Sequence, residues 1–454
     1  MSKFIKLRKG FDINLVGKAE KKIADFEQPE TFALKPSSFH GIQRPKVLVK
    51  EGDTVKAGTP ILIDGKNDRI QHAAPVSGEI VEVKRGEKRK LLEIVILADK
   101  EIEYVEFPKH SISDINNLSR EDCQQTLLQS GVWPNIIQRP YGIIANPDDE
   151  PKSIFISTFD THPLAPDFDL ILKDQDKYFE AGIEILNKFS EHVHINVNAD
   201  AEVSPVFTKA KNAQLNKFSG PHPSGNVGVQ IHHIDPINKG DVVWTVNPIG
   251  VTQIGKLFLE GKYDASRVVA VTGSEVKTPQ YYKTFTGANI KKFVQDNLKS
   301  DHVRYIGGNV LTGEKIASDG YLGFFDNQLT IVPEGDYHEL FGWIMPSFKK
   351  LSFHRAIGLL SFLNSGNKEY VVDTNTHGED RAFVQSGTFE RVTPMDILPT
   401  HLIKAILAED FDEMEGLGIY EVIEEDLALC EFIDVSKHDI QAILREGLDL
   451  MQYS

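Results

Sequence analysis

Between Gly220 and Asp235 the chain reads GPHPSGNVGVQIHHID, which places three histidines, two prolines and three glycines within sixteen residues. Histidine ligates metals and carries protons near neutral pH, and glycine lets backbone N–H groups approach a phosphate. A metal centre, an anion-cradling loop and a plain turn feeding a strand are therefore the three readings to weigh. The β-branched run from Val229 to Ile234 reads as a strand, which sends the adjacent His232 and His233 to opposite faces, where they cannot share an ion. The glycines at 220, 225 and 228 match neither the Walker nor the dinucleotide spacing, and no helix is expected to follow them. Gly220 to Gly228 is thus expected to be the tight approach to a central strand. His222 and His232 are left as residues that face a ligand or a partner.

The remaining chemistry-bearing residues are scattered. The loop FDTHPLAPD offers Asp160 and His162, with a capped turn stiffened by Pro163 and Pro166 as the competing reading. THGEDRA groups His377, Glu379, Asp380 and Arg381, which reads as a charged surface turn with an internal ion pair rather than an acid–base pair. EEDLALCEF puts three acids at a helix start, where the dipole favours them. Trp133 is either a core aromatic or one wall of an apolar slot. No GxSxG, HExxH, Walker or GxGxxG pattern occurs. The two cysteines, Cys123 and Cys430, are too few and too far apart for an iron–sulfur cluster or a Cys-rich zinc site, and read as small buried hydrophobes. No metal site is expected.

The whole chain sets the limits. Its 454 residues are 41% hydrophobic and 26% charged, with a net charge of −16; this is a globular composition for several domains and a poor one for nucleic acid. No run approaches the ~20 apolar residues of a spanning helix, and MSKFIKLRKGFDINLVG lacks the apolar centre of a signal peptide. A cytoplasmic chain is expected, its basic start (Lys3, Lys6, Arg8, Lys9) being a solvated strand face.

Four elements of organisation position these residues. Residues 1–110 are β-rich; VKEGDTVKAGTPIL and APVSGEIVEV resemble the two halves of the hammerhead of biotinyl and lipoyl carrier domains, although Lys66 sits in DGKNDRI, which matches neither modification context. Residues 111–262 give strand, helix and strand in turn (Ile154–Thr158, then Phe179, Ile183, Ile185 and Leu186 at near-helical spacing, then Val193–Ala199), with Ser119 a helix cap and Gly261 a helix stop. This predicts a Rossmann-like α/β layer with a mostly parallel sheet and ligands at the carboxyl ends of its strands. Residues 263–390 read as a second β-rich unit with a helix beginning near Ala288, and residues 391–454 as a helical domain.

RVVAVTGSEVKTPQYYKTFTGANIKKFV resembles the soluble-ligand-binding β-grasp (SLBB) domain of NADH-binding flavoprotein subunits and of RnfC-type chains. Across nearly the full length, KGFDINLVG, PVSGEIVEVKRGEKR, GPHPSGNVGVQIHHIDP, DHVRYIGGNVLTG, GYLGFFDNQLTIVPEG, ELFGWIMP, ERVTPMDILPT and EEDLALCEF resemble the NqrA family, the A subunits of bacterial sodium-translocating NADH:quinone reductases. That resemblance implies a peripheral cytoplasmic subunit of a translocase, docked on membrane-embedded and flavin-bearing partners (NqrB, NqrC, NqrD, NqrE and NqrF) and associated with ubiquinone or another quinone. Trp133, His222 and His232 are then the candidates to face quinone or a partner. Flavoprotein subunits of this kind carry a GGAGFP loop against flavin and nucleotide phosphates. Here SGVWPNII stands in its place, and Val132 and Trp133 put bulk where the backbone would approach a phosphate. No bound flavin, NADH or iron–sulfur centre is expected on this chain; those cofactors belong to the other subunits. The alternative is a free-standing metal-dependent enzyme built on the histidines, or a carrier modified at Lys66.

Overall fold

The computed structural model describes residues 2–341, 350–354, 368–383 and 387–453. Most of ELFGWIMP lies outside the described residues.

The central layer is a seven-stranded sheet in the order Phe4–Lys6, Gln214–Ser219, Val193–Asn198, Ser153–Ser157, Val243–Val246, Ile136–Arg139, Ile143–Ile144. Its first five strands run parallel, Ile136–Arg139 runs antiparallel to them, and Ile143–Ile144 pairs antiparallel with Ile136–Arg139. The four inner strands carry long buried runs, as strands covered on both faces require. Helices Asp176–Leu186 and Pro248–Glu260 pack together on one face, where Phe179, Ile183, Ile185, Ile254 and Leu257 are fully buried. Helix Pro248–Glu260 ends at Gly261, whose φ of 65° forms the left-handed cap its position in the sequence predicts.

The N-terminal segment does not stay within a module of its own. Strand Phe4–Lys6 is the edge of the seven-stranded sheet, and strand Glu20–Ala24 pairs with Gln280–Phe285 at the edge of a six-stranded sheet that also holds Val303–Gly307, Glu314–Ile316, Gln328–Pro333 and Ser266–Thr272. The hammerhead begins only at Thr31, as a four-stranded and a three-stranded sheet around Ile61, Val76, Ile80, Ile94 and Ile96. Edge strands this short carry almost no periodicity, so only long-range pairing assigns them to a sheet.

Two local expectations fail. The region after Ala288 contains just one turn of helix, Lys291–Val294, because Ala288 and Asn289 form bridges with Phe32 and Tyr321. The stretch Val227–Ile234 is a helix, not a strand. Its residues 228–231 are buried, Val229 against the core beneath the C-terminal helices and Ile231 against Phe155 and Val243 of the sheet. Tertiary packing here overrides the β-propensity of Val and Ile.

The C-terminal helices Pro399–Leu407, Phe411–Gly416, Glu424–Ile433 and Ile440–Tyr453 share one core with Leu7, Ile13, Leu15, Leu164, Phe218 and Val229. They therefore cover the carboxyl-end side of the sheet rather than standing apart.

Candidate functional site

A cavity of about 770 Å³ opens at the carboxyl ends of strands Ser153–Ser157 and Val193–Asn198, the place where open α/β sheets bind their ligands. Its walls are the loop Thr158–Asp169, residues Asn198 to Val203 and the N-terminal segment from Asp12 to Lys21. Phe159, Pro163, Leu164, Phe168, Val203 and Phe207 supply apolar surface. Carboxylates predominate among the described residues: Asp12, Asp160, Asp167, Asp169, Glu202 and Glu369 stand against Lys18, Lys21 and His162. Lys21 is bound to Asp167, which also caps helix Phe168–Ile171 by accepting from the N–H groups of Asp169 and Leu170. Burial, with Asp167 beside it, raises the pKa of Asp169.

Asp160 and His162 form the polar centre of the wall. Asp160 Oδ1 accepts from the His162 backbone N–H at 2.7 Å and lies 2.5 Å from His162 Nδ1. Burial opposes both charges, but each partner outweighs it, so the carboxyl is shifted down and the imidazole up. Each group favours the charged form of the other, and Asp160 also makes the local turn that its position after a strand predicts. The His222 ring stands 4.8 Å behind that of His162. Its backbone N–H donates to Asp12 Oδ1, its Nδ1 meets Thr161 Oγ1 at 3.0 Å, and its buried Nε2 has no partner among the described residues. Burial, reinforced by the charge of His162, pushes the His222 pKa down to about 3, so this histidine is neutral.

The glycine-rich stretch leads from strand Gln214–Ser219 into helix Val227–Ile234, the strand–loop–helix arrangement that presents N–H groups to a phosphate. A carboxylate of the chain packs against the side of that helix's first turn. Asp426, on helix Glu424–Ile433, approaches so closely that a Cβ on Gly228 would lie 2.4 Å from its Oδ2. Asp426 Oδ2 accepts from the buried Arg139 at 2.7 Å and from the Ile423 N–H, while Arg139 donates its other arm to Glu425 at 2.6 Å. Asn226 donates to the Glu425 carbonyl. The sequence signal for this arrangement was the glycine at 228, whose partner 198 residues away was not visible.

Of the other residues singled out, Trp133 is sealed in the core against Trp244 and Phe189, with its indole N–H donating to the Ala145 carbonyl. His232 lies outside the cavity: the Asp396 N–H donates to its Nε2, so its proton sits on Nδ1 and is donated to Glu421 at 2.7 Å. His233 donates to the Pro394 carbonyl. Being helical, the two histidines point about 100° apart rather than to opposite faces, yet each is committed to the C-terminal domain. Among the described residues no group of three or more His, Cys, Asp or Glu converges to hold a metal ion. Lys66 is exposed at the tip between strands Pro60–Asp64 and Asn67–Ala73, its N–H donating to Asp64. Glu379, Asp380 and Arg381 are exposed and form no ion pair with one another. Burial pushes the Cys123 thiol up to about 11 and the Cys430 thiol to about 12.

Together these features define a multidomain α/β protein whose Rossmann-like sheet keeps its ligand-side cavity and packs an internal carboxylate against the first turn of helix Val227–Ile234. Family models match in the same three blocks: the NqrA N-terminal barrel-sandwich hybrid domain over residues 5–99, the NqrA second alpha/beta domain over 118–263 and the NQRA C-terminal domain over 268–318. NqrA of Neisseria meningitidis serogroup B, the A subunit of its Na(+)-translocating NADH-quinone reductase, is 37% identical over 99% of both chains. Its counterparts in Alcanivorax borkumensis and Haemophilus influenzae are 37% and 36% identical over 99% of both chains. The chain belongs to the NqrA family. Among solved structures, an NAD+-reducing [NiFe]-hydrogenase chain matches at a TM-score of 0.38 and 9% identity, covering 77% of this chain and 66% of that one, too faint a likeness to bear on the site.

Proposed function

We propose that this chain is the peripheral A subunit of a sodium-translocating NADH:quinone reductase, held at the cytoplasmic face of the bacterial inner membrane by the membrane-embedded and flavin-bearing subunits NqrB, NqrC, NqrD, NqrE and NqrF. Its own role is assembly and quinone access, while NADH and flavin are handled by those partners. Among the described residues no helix is long and apolar enough to cross a membrane, which accords with a peripheral place.

The observation that carries the division of labour is the charge of the site. A dinucleotide or flavin phosphate would enter a cavity with six carboxylates against two lysines and His162, with the Asp426 carboxylate packed beside the first turn of helix Val227–Ile234. Like charges at such range cost several kcal/mol, so these residues do not fit a phosphate-bearing cofactor. A quinone headgroup is uncharged and meets no such repulsion. In the cavity it would meet the Phe159, Phe168 and Phe207 side of the wall and the Asp160–His162 pair, with His222 one ring behind.

Photolabelling with a reactive quinone analogue, mapped by mass spectrometry on the assembled complex, tests this reading. Adducts concentrated on the loop Thr158–Asp169 are expected; labelling spread evenly over exposed residues would remove the discrete site. Titration of the purified chain with NADH and with flavin mononucleotide is expected to show no saturable binding, and stoichiometric flavin absorbance would overturn the cofactor assignment.

A further inference from the structure

The charge of the chain is concentrated at one end. Residues 391–454 hold fifteen Asp and Glu against four Lys and Arg, a net of −11 out of −16 for the whole chain. The sharpest part is the turn joining helices Pro399–Leu407 and Phe411–Gly416, where residues 407–413 are exposed without interruption. Leu407 is 56% and Phe411 39% exposed, and four carboxylates surround them: Glu409, Asp410, Asp412 and Glu413. Asp410 caps the second helix by accepting from the Glu413 N–H. Glu409, Asp412 and Glu413 form no ion pair among the described residues. The nearby cations are engaged elsewhere, Lys239 with Glu415 and Lys404 over the Phe383 ring. The turn itself is fixed, since Asp410 N–H donates to the Ala405 carbonyl and Met414, which follows the exposed residues, is buried in the core.

Two large apolar side chains held rigidly in water among unpaired carboxylates are the complement of a cationic amphipathic helix, whose apolar face would cover Leu407 and Phe411 while its lysines and arginines meet the acids. The cytoplasmic segments of membrane proteins carry that excess of Lys and Arg. We propose that the Leu407–Glu413 turn is the docking surface for a basic, amphipathic cytoplasmic segment of a membrane-embedded partner subunit. This rests on the proposed place of the chain in a membrane complex. It commits that complex to one contact of stated chemistry.

Two measurements on the assembled complex test it. In the first, a tagged chain is recovered from detergent-solubilised membranes as the wild type, as Leu407→Ser/Phe411→Ser, and as Glu409→Gln/Asp412→Asn/Glu413→Gln. The last variant leaves every apolar contact and the Asp410 cap in place. Both variants are expected to lower recovery of membrane partners about tenfold, and the carboxamide variant to lose most of the salt dependence of wild-type recovery. In the second, a photo-crosslinking residue at position 407 is expected to give an adduct with a Lys- and Arg-rich segment of a membrane subunit. Undiminished recovery of both variants, with wild type recovered normally, overturns the docking surface and leaves the proposed function standing; wild type recovered without any membrane partner overturns the proposed function as well. An adduct with a second copy of this chain, or with an acidic segment, also overturns the docking surface.

Discussion

The Asp426 carboxylate lies where any side chain on Gly228 would have to go, its Oδ2 2.4 Å from the position of a Cβ at 228. Helix Glu424–Ile433 thereby packs a carboxylate against the first turn of helix Val227–Ile234. That carboxylate is held by Arg139 from a third element, the Ile136–Arg139 strand.

Gly228→Ala gains helix propensity but drives its methyl into a buried, bonded carboxylate. The net expected effect is destabilisation by about 2 kcal/mol, read as a lower urea midpoint with unchanged slope. In the Gly228→Ala/Asp426→Ala double variant the two losses are expected to be less than additive, because the second change removes the clash. Strict additivity would show that the two residues do not act on each other.

Arg139→Met is expected to cost more, about 3–5 kcal/mol, since it leaves Asp426 buried and without its cation. Arg139→Met/Asp426→Leu should recover much of that loss, because apolar residues of similar size replace a buried ion pair at little net cost. Thermal melts of the three chains check this, and a double variant as unstable as Arg139→Met would contradict it.

His72 is sealed against Phe39 at 4.3 Å between ring centres, with both ring nitrogens unpartnered. Burial pushes its pKa down to about 3. Below about pH 6.5 the unfolded chain takes up a proton that the folded chain refuses, so stability falls with falling pH down to the folded pKa, by about 1.4 kcal/mol per pH unit for this one group. His222, at about 3, and His194, at about 4, act in the same direction. His72→Leu is therefore expected to flatten the decline between pH 6.5 and 4 by roughly a third, measured as unfolding free energy against pH. His162 has the opposite sign: its raised pKa contributes stability that is present below about pH 6.5 and lost as pH rises through the folded value, a loss that His162→Gln should abolish.

His232→Phe removes the bonds to Glu421 and to the Asp396 N–H that tie helix Val227–Ile234 to the C-terminal domain. A loss of about 1–2 kcal/mol is expected, with faster proteolytic cleavage in residues 391–454 than elsewhere. Cleavage spread evenly along the chain would show that this contact does not tether the domain.

Much of this architecture was legible in the chain itself. Gly261 marked a helix stop because a left-handed cap favours glycine, Ser119 marked a helix start, and the Gly-Asp and Ala-Gly turns between short β-branched runs marked the hammerhead. The bulk of Val132 and Trp133 where the flavoprotein loop has glycine was also readable, and the Trp133 ring now lies fully in the core. Local signals suffice where one residue's conformational or steric preference decides the outcome.

What the sequence could not determine were relations between distant residues. Val229 and Ile231 favour a strand by their own propensity and became helical because the core beneath the C-terminal helices buries the first and the sheet face the second. Strands Phe4–Lys6 and Glu20–Ala24 are too short to announce their partners, and they joined two different sheets by long-range hydrogen bonding. Gly228 was visible as a glycine, but only the approach of Asp426 from the far end of the chain made its missing side chain necessary. Composition and local pattern determined the α/β class, helix ends such as Gly261 and Ser119, and the absence of a recognisable catalytic motif. Tertiary packing decided which carboxylates line the cavity and which one is buried against Gly228, because a charge can be buried there only when Arg139, Ile423 and Gly228 converge on it.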